Sequence, residues 1–558
     1  MKHLILYILL SYSLFALPLG VENAIKKSGI SKNDISIYIK EIGDNGGVVA
    51  SLNAKKSVPP ASVIKVMTIY ASLLKLGFNH RFPTQFYTKG KLKNGQLYGD
   101  LIVKGFGDPT LCTSNLKSIV REIKARGIHG IRGNIVIDRS YFNIGSKDNS
   151  GFDQYTYSPY NAMPDAMMFN ERVSTVCVTP NRNDIHKKVV DGSYKVVNNL
   201  QYVNRSCRGK YSWPGIKIDK SQATPKLILK GKISKRCGKR NICKVIAKPY
   251  NSFYYALKNA LVKSGVNVTG NMRLEKVPSN AKLIFTHYSK SLEVIISKTA
   301  KKSNNLYARH LLLYLAAKMY GAPATLKKGR DAVESLLRQK GALGRYTPYI
   351  DNGSGLSRSS RVTALTLAKM FDNAHRYYGQ RWMNTLSIAG VDGTIKKRFR
   401  STIVKKRAWM KTGTLKRVKN IGGYLKSKSG KLYTVVIMVN TKKGRWRASQ
   451  LQNTILKWLV TYKGGATKVA EQEEPLPQIP VKKSYKSNEN YYIQIGAFDK
   501  IPSNSYLSNI EDLGFTCVVK HTHNYKVLIG SYQDKNTARE ALAKVHKSIH
   551  RGAFITKM

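Results

Sequence analysis

Ile35, Ile37 and Ile39 alternate with polar positions, the run Gly43-Asp44-Asn45-Gly46-Gly47 turns the chain, and residues 48–52 return, a pattern that predicts a β-hairpin. Directly after it, Pro59-Pro60 lead into Val63, Ile64, Val66, Met67, Tyr70, Ala71 and Leu74 at helical spacing, closed by Gly77. Residues 84–280 show short β-like runs, among them 97–104, 133–138 and 225–230, between Gly and Asn turns. No long amphipathic helix is read there, and the stretch is expected to form β-rich inserts. Helical periodicity resumes over 291–298, 305–319, 324–340 and 363–377. Strands are expected again over 408–415, 421–425 and 432–439, with Lys428-Ser429-Gly430 as the last turn and an amphipathic helix over 451–462. The pattern fails from 464 to 488, where Gly464-Gly465, an acidic run at 471–474 and Pro475, Pro477 and Pro480 indicate a linker. Beyond it, strands over 491–497, 516–521, 525–531 and 553–555 and helices over 503–513 and 536–548 give the order βαββαβ.

Composition adds location to this α+β plan. A chain of 558 residues with 42% hydrophobic content can bury several cores. Lys2 and His3 precede an apolar run from Leu4 to Leu19 with small residues near its end, the profile of a signal peptide over 1–20. Processing after Ala16 or Gly20 and a retained anchor both stay open, and no cysteine follows to carry a lipid. Export suits the cysteines: Cys237 and Cys243 flank a turn that a disulfide can staple, Cys177 with Cys207 makes a second pair, and Cys112 and Cys517 are read as lone thiols. Neither C-x-x-C nor H-E-x-x-H spacing occurs and the histidines are scattered, so no metal or other cofactor is expected. The formal charge of +64, from 95 Lys+Arg against 31 Asp+Glu, is spread over every segment. For an exported chain with that distribution, an anionic polymer, a membrane surface or a proteome-wide bias explains the charge better than nucleic acid, which is not expected as a partner.

Three separated stretches carry chemistry. Ser62 and Lys65 lie one helical turn apart, so the lysine amine sits over the serine hydroxyl, where burial and neighbouring cations can lower its pKa enough to take a proton. Ser303-Asn304-Asn305 offers a hydroxyl to relay that proton to a leaving amine and an amide to orient Lys65 and substrate. Lys411-Thr412-Gly413 lies on a strand edge to which an extended substrate can add, with the first two residues meeting a carboxylate and Gly413 permitting close approach. Each alone is common. Together, in this order, they describe a lysine-assisted serine acyl transferase.

With these boxes the chain resembles the class C low-molecular-mass penicillin-binding proteins, the D-alanyl-D-alanine carboxypeptidase/endopeptidase family, from about Ile35 to Tyr462. Gly107-Asp108-Pro109-Thr110-Leu111, Asn352-Gly353-Ser354-Gly355-Leu356-Ser357-Arg358 and Gly390-Val391-Asp392-Gly393-Thr394 extend the likeness. The resemblance implies a penicillin-binding-protein/β-lactamase-like transpeptidase domain, a five-stranded antiparallel sheet with a helical cluster, split by β-rich inserts: catalytic segments 21–83 and 281–463 around an insert over 84–280. It implies Ser62 as nucleophile, Lys65 as base, Ser303, Asn305 and Lys411 in proton relay and orientation, Thr412, Gly413 and Thr414 in substrate binding, and the N–H groups of Ser62 and Thr414 as oxyanion hole. Asn304 stands where the family often has Asp, and Asn352 opens a block that is usually more acidic. Gly151-Phe152-Asp153 resembles the neighbourhood of an insert aspartate that reads the amino end of a diaminopimelate side chain, which makes Asp153 a candidate beside its reading as a solvated loop carboxylate. The Gly353–Arg358 and Gly390–Thr394 blocks are read as turns that brace the helical cluster.

The terminal module, 489–558, resembles a SPOR domain, a family that binds glycan strands stripped of stem peptides. Tyr491 to Phe498 and Tyr525 to Tyr532 carry that likeness, with Tyr492, Gln494, Tyr525 and Tyr532 as candidates to stack on and hydrogen-bond sugar rings, or else to serve as strand core. The expected function is thus a periplasmic serine peptidase acting on D-alanyl bonds of peptidoglycan stem peptides and cross-links, blocked by β-lactams and held near denuded glycan, with enrichment at the division site possible. The alternatives are a β-lactamase or esterase on the same fold, and a non-catalytic wall-binding division protein.

Overall fold

The alternating isoleucines form the strand Ile35–Glu41 of a six-stranded antiparallel sheet whose order is Ser387–Ile388, Ala408–Leu415, Val418–Lys426, Leu432–Asn440, Ile35–Glu41, Val48–Leu52. The structure is a computed structural model, described for residues 17–43, 46–145, 148–464 and, within 491–557, all but 500–501, 503–505, 508–509, 511–514, 516, 522–523, 533–534 and 551. Five strands of this sheet are long; the sixth is the two-residue Ser387–Ile388 at its edge. Most of the expected signal peptide, and the linker beyond Gly464, lie outside the described residues.

Both sheet faces are covered, and the sequence shows why. Ile35, Ile37 and Ile39, with Val435, Ile437 and Val439, meet the helices Leu19–Ser28 and Arg445–Thr461 on one side. Tyr38, Val436 and Met438 meet the helix Lys65–Leu76 and the helical cluster on the other. The unbroken run Val435 to Val439 is therefore buried on both faces, not alternating in and out. The helical cluster comprises Leu292–Lys301, Asn305–Tyr320, Leu326–Gln339 and Ala364–Met383, the last interrupted at Gly379. The closing helix starts at Arg445, ahead of the expected 451.

Tyr424 pins sheet to cluster. Its hydroxyl accepts from Trp382 Nε1 at 2.9 Å and donates to the Phe371 carbonyl at 2.5 Å, all fully buried. Tyr424→Phe strands a donor and an acceptor in the core and is expected to lower unfolding stability by about 1–3 kcal/mol, read from denaturant titration.

The insert departs from expectation in three respects. It contains two helices, Leu116–Ala125 and Pro249–Lys263, packed on a seven-stranded mixed sheet. Leu116, Ile119, Val120 and Ile123 stand at i, i+3, i+4, i+7 and are buried, a helical signal masked by the β-like runs around it. Second, the insert's sheet continues past 280: Lys282–Ser291 pairs antiparallel with Arg81–Lys93, with Ser291 opposite Arg81 and Phe285 stacked on Phe86 at 4.4 Å. The chain thus leaves and rejoins the domain of the six-stranded sheet at one place. Third, the disulfide is Cys207–Cys237, and Cys177 and Cys243 are thiols, which replaces the expected pairs 237–243 and 177–207. The strands Lys195–Val203 and Lys226–Ser234 run parallel with Val203 opposite Ser234, so both chains leave the sheet at the same end and bring those two cysteines together. Cys112 and Cys517 stand outside the disulfide, as read. Two three-stranded sheets in this region share a small core of their own around Val176, Leu227, Leu229 and Ile242.

The terminal module forms a separate unit with a four-stranded antiparallel sheet, ordered Cys517–His521, Tyr525–Tyr532, Tyr491–Phe498, Phe554–Lys557, and the helix Lys535–Ser548. Ile493, Ile495, Val527 and Ile529 face the helical side with Ile510 and Val545. Most of the expected helix 503–513 lies outside the described residues. Among the described residues no helix is long and apolar enough to cross a membrane.

Candidate active site

The two prolines start a 3₁₀ turn, Ala61–Ile64, which hands over to the helix Lys65–Leu76. Ala61 takes a left-handed φ of 49°, so the turn that presents Ser62 is bent against the preference of its backbone. Two glycines let other segments close on it. A Cβ on Gly355, at φ 73°, would stand 2.0 Å from the Ala61 carbonyl oxygen, and one on Gly413 would stand 2.6 Å from that of Pro60. The K-T-G strand and the 353–358 block therefore both touch the serine turn, backbone against backbone.

Lys65 is wholly buried and points its amine at three acceptors: Ser62 Oγ at 2.9 Å, Asn305 Oδ1 at 2.6 Å and the Ser354 carbonyl. Three acceptors satisfy an ammonium. A neutral amine has two N–H donors, which Asn305 and Ser354 can hold while its lone pair takes the Ser62 hydroxyl proton. Burial, then the charges of Lys411 and Arg309, hold the Lys65 pKa well below the ordinary lysine value. Arg309 is 1% exposed, donates to the Ala162 carbonyl at 2.6 Å, and is itself pushed down to about 10 by burial.

Ser303 lies in a left-handed turn, φ 54°, before the helix Asn305–Tyr320, and its hydroxyl accepts from Lys411 Nζ at 3.0 Å. Lys411 also donates to the Thr412 carbonyl at 2.7 Å, and burial pushes its pKa down to about 7. Asn305 accepts from Lys65 and donates from Nδ2 to the Tyr160 carbonyl at 3.1 Å, which ties the base to the insert loop. The short strand Ser387–Ile388 pairs only with Met410 and Trp409, so the outer edge of residues 411–415 carries no neighbouring strand among the described residues. Along that edge Gly413 is buried, Thr412 is half-buried and Thr414 is exposed, its hydroxyl accepting from Lys419 at 3.2 Å. Thr412 Oγ1 lies 2.8 Å from Thr394 Oγ1.

The structure thus brings Ser62, Lys65 and Asn305 into one hydrogen-bonded network and Ser303 and Lys411 into a second, near enough for the charge of Lys411 to act on Lys65, beside Thr412, Gly413 and Thr414. Asp153 stands outside both networks. Its carboxylate accepts from the Tyr155 N–H at 3.0 Å, Tyr160 OH at 2.9 Å and Asn161 Nδ2 at 2.7 Å, and it reaches the first only through Tyr160, whose carbonyl receives Asn305. Of the blocks read as turns, 353–358 is tied to the helix Lys65–Leu76, its Gly353 carbonyl accepting from Thr68 Oγ1 at 3.0 Å, and 390–394 is tied to the helical cluster, Asp392 pairing with Lys301 at 2.6 Å. Both also reach inward, through the Ser354 carbonyl and the Thr394 hydroxyl. Those contacts, with Arg309 and the Tyr160 carbonyl, were missed at the level of sequence; two are backbone groups without a residue signature, and Arg309 is disguised within a helix face of core residues.

In the terminal unit Tyr492 and Gln494 alternate with core Ile493 and Ile495, and Gln494 lies opposite the exposed Phe554 on the far face. Tyr532 instead packs against the helical core, because a register shift between Tyr491 and Ile493 disturbs the alternation there. Tyr525 pairs with Phe498 at the end of its strand. The four predicted positions therefore do not share one face.

Residues 19–462 match the family model described as D-Ala-D-Ala carboxypeptidase 3 (S13) family, and residues 487–557 match that of the SPOR domain. The chain is 29% identical over 418 residues to D-alanyl-D-alanine carboxypeptidase DacB of Haemophilus influenzae, covering 73% of this chain and 85% of that protein. It is 28% identical over 405 residues to D-alanyl-D-alanine carboxypeptidase of Actinomadura sp. strain R39, covering 69% of this chain and 74% of that one. The crystal structure of penicillin binding protein 4 (dacB) from Haemophilus influenzae superposes with a TM-score of 0.69 at 26% identity, covering 80% of this chain and all of that one. The chain belongs to the D-Ala-D-Ala carboxypeptidase 3 (S13) family, as a penicillin-binding serine D-Ala-D-Ala carboxypeptidase of class C with a C-terminal SPOR domain.

Proposed function

We propose that Ser62 is the nucleophile of a periplasmic enzyme that removes terminal D-alanine from stem peptides and also opens D-alanyl cross-links. The observation that carries this reading is the buried Lys65 amine, 2.9 Å from Ser62 Oγ, with its pKa lowered by burial and by Lys411. Neutral Lys65 takes the Ser62 proton as Oγ attacks the D-alanyl carbonyl carbon. The tetrahedral oxyanion is held by the N–H groups of Ser62 and Thr414. Breaking the C–N bond requires a proton on the leaving amine, and Ser303, hydrogen-bonded to Lys411, relays it. Water then attacks the acyl-enzyme with Lys65 again as base, which releases the shortened peptide and restores Ser62. The unoccupied edge at 411–415 receives the substrate backbone as an added strand, with Lys411 and Thr412 toward its carboxylate. A β-lactam follows the same first step, but its leaving amine stays tethered and the acyl-enzyme persists.

Asp153 enters as the residue that orders the Tyr160 loop; its Oδ2, which accepts from Tyr160 OH alone, keeps a lone pair for a substrate amine. In the SPOR domain, Tyr492 and Gln494 are proposed to meet denuded glycan, and tethering through 464–488 raises the enzyme's effective concentration there. The test is incubation of the whole chain with purified cross-linked muropeptide dimers and pentapeptide monomers, with products followed by mass spectrometry. Loss of D-alanine together with conversion of dimers to monomers is expected. Intact dimers beside trimmed monomers restrict the activity to carboxypeptidase, and two untouched substrates overturn the proposal.

A further inference from the structure

Asn304, between the two residues of its box that face Lys65 and Lys411, turns away from them and uses both ends of its amide. Oδ1 accepts from the Tyr307 N–H at 3.1 Å and caps the helix Asn305–Tyr320, while Nδ2 donates to Glu171 Oε2 at 2.9 Å. The cap requires an acceptor and the carboxylate requires a donor, so the amide has one orientation here. Glu171 belongs to the insert. Its other oxygen accepts from Lys298 Nζ and from Tyr307 OH at 3.2 Å, so a single carboxylate grips the helix Leu292–Lys301, the helix Asn305–Tyr320 and the turn between them.

The backbone that delivers Glu171 is unusual. Asn170, Glu171 and Arg172 have φ of 49°, 52° and 59°, three consecutive left-handed residues without a glycine among them. They are held in place on both sides: Asn170 Oδ1 accepts from the Thr113 N–H at 3.0 Å, and the buried Arg172 pairs with Asp148. Such a segment persists where its surroundings over-determine it, and what it presents to the catalytic domain is the Glu171 carboxylate. The turn receiving it is left-handed too, at Ser303.

We infer that Glu171 is a positioning residue for the peptidase reaction: through Asn304 it fixes the turn that sets Ser303 against Lys411 and Asn305 against Lys65. The inference rests on the roles proposed above for Ser303 and Asn305. Lys298 and Tyr307 face the carboxylate from the two helices, and Cys112 and Asp108 lie beyond Tyr307.

The test uses the full chain in four forms: wild type, Asn304→Asp, Glu171→Gln and the double variant. Acylation rate constants with a fluorescent penicillin are read from about pH 6 to about pH 9, beside thermal unfolding of each form. Asn304→Asp sets two carboxylates face to face, and acylation is expected to fall by about 10- to 100-fold. Relative to wild type the loss deepens as pH rises, because at low pH the pair shares a proton that the higher pH removes. Glu171→Gln alone loses the Lys298 pair and is expected to fall less, with the wild-type pH profile. In the double variant the new amide donates to the new carboxylate, so the bond returns with reversed polarity and the rate recovers to within about threefold of wild type. The inference is overturned if Asn304→Asp acylates as wild type does, if the double variant is no faster than Asn304→Asp, or if the losses follow unfolding temperature with no change in pH profile. Absence of acylation in wild type itself would instead count against the proposed roles of the catalytic residues.

Discussion

Ser62→Ala is expected to abolish covalent penicillin labelling and to lower D-alanine release by at least about 10⁴-fold. The side chain it removes makes one hydrogen bond, to Lys65, and is half-buried. The fold is therefore expected to lose no more than about 1 kcal/mol. Mass spectrometry of the intact protein after exposure to penicillin, with thermal unfolding as the control, separates chemistry from folding. Residual release near the wild-type rate from a folded, unlabelled variant would mean that another group attacks the carbonyl. Because nucleophile, base and relay act as one unit, Lys65→Met added to Ser62→Ala is expected to cost little further.

The second large effect concerns pH. With Lys65 as the proposed base, the acylation rate is expected to rise with pH through an acid limb lying well below the ordinary lysine range. The neighbouring charge of Lys411 contributes to that displacement, and the two amines titrate as a coupled pair. Lys411→Met removes a positive charge, makes the protonated form of Lys65 less unfavourable, and so moves the limb to higher pH. The relay is lost as well, and the plateau is expected to fall by about 10²- to 10⁴-fold. Stopped-flow acylation of wild type and variant across pH checks both parts. A limb that stays in place or moves down contradicts the assignment of Lys65 as base. Arg309→Met, which removes a charge that acts less strongly on Lys65, is expected to shift the limb in the same direction by less.

The meeting of Ser62 with Lys65 was legible because it is local, needing only a helical turn. Gly413 was read as admitting substrate, and the structure sets it within van der Waals distance of the Pro60 carbonyl, a partner that local sequence does not name. Fold elements with a clean period were equally readable, such as the strand Ile35–Glu41 and the helix Leu326–Gln339. What stayed hidden depends on long-range register. The Cys207–Cys237 bond follows from two parallel strands ending together, a pairing that no local spacing encodes. Ser354 contributes a carbonyl, which every residue possesses, and Glu171 sits in an insert loop with no motif around it. Tyr532 fails as a surface residue because a shift of register turns it toward the core, which alternation alone does not foresee.

The central sheet also fixes an order of assembly. Ile35 is the register partner of Val439, and Ser62 lies against a strand that begins at Ala408. The N-terminal hairpin therefore emerges early and waits, one edge unpaired, while the whole insert and the helical cluster are made. The insert, whose ends meet at Arg81 and Ser291, can close on itself during that wait, but the sheet cannot. Its last strands join late, across a loop spanning most of the domain, and until then the apolar face of the hairpin is exposed to other chains. Newly made protein is thus most vulnerable to aggregation at its beginning, and the Ser62 turn gains its facing strand only when residues 408–415 arrive.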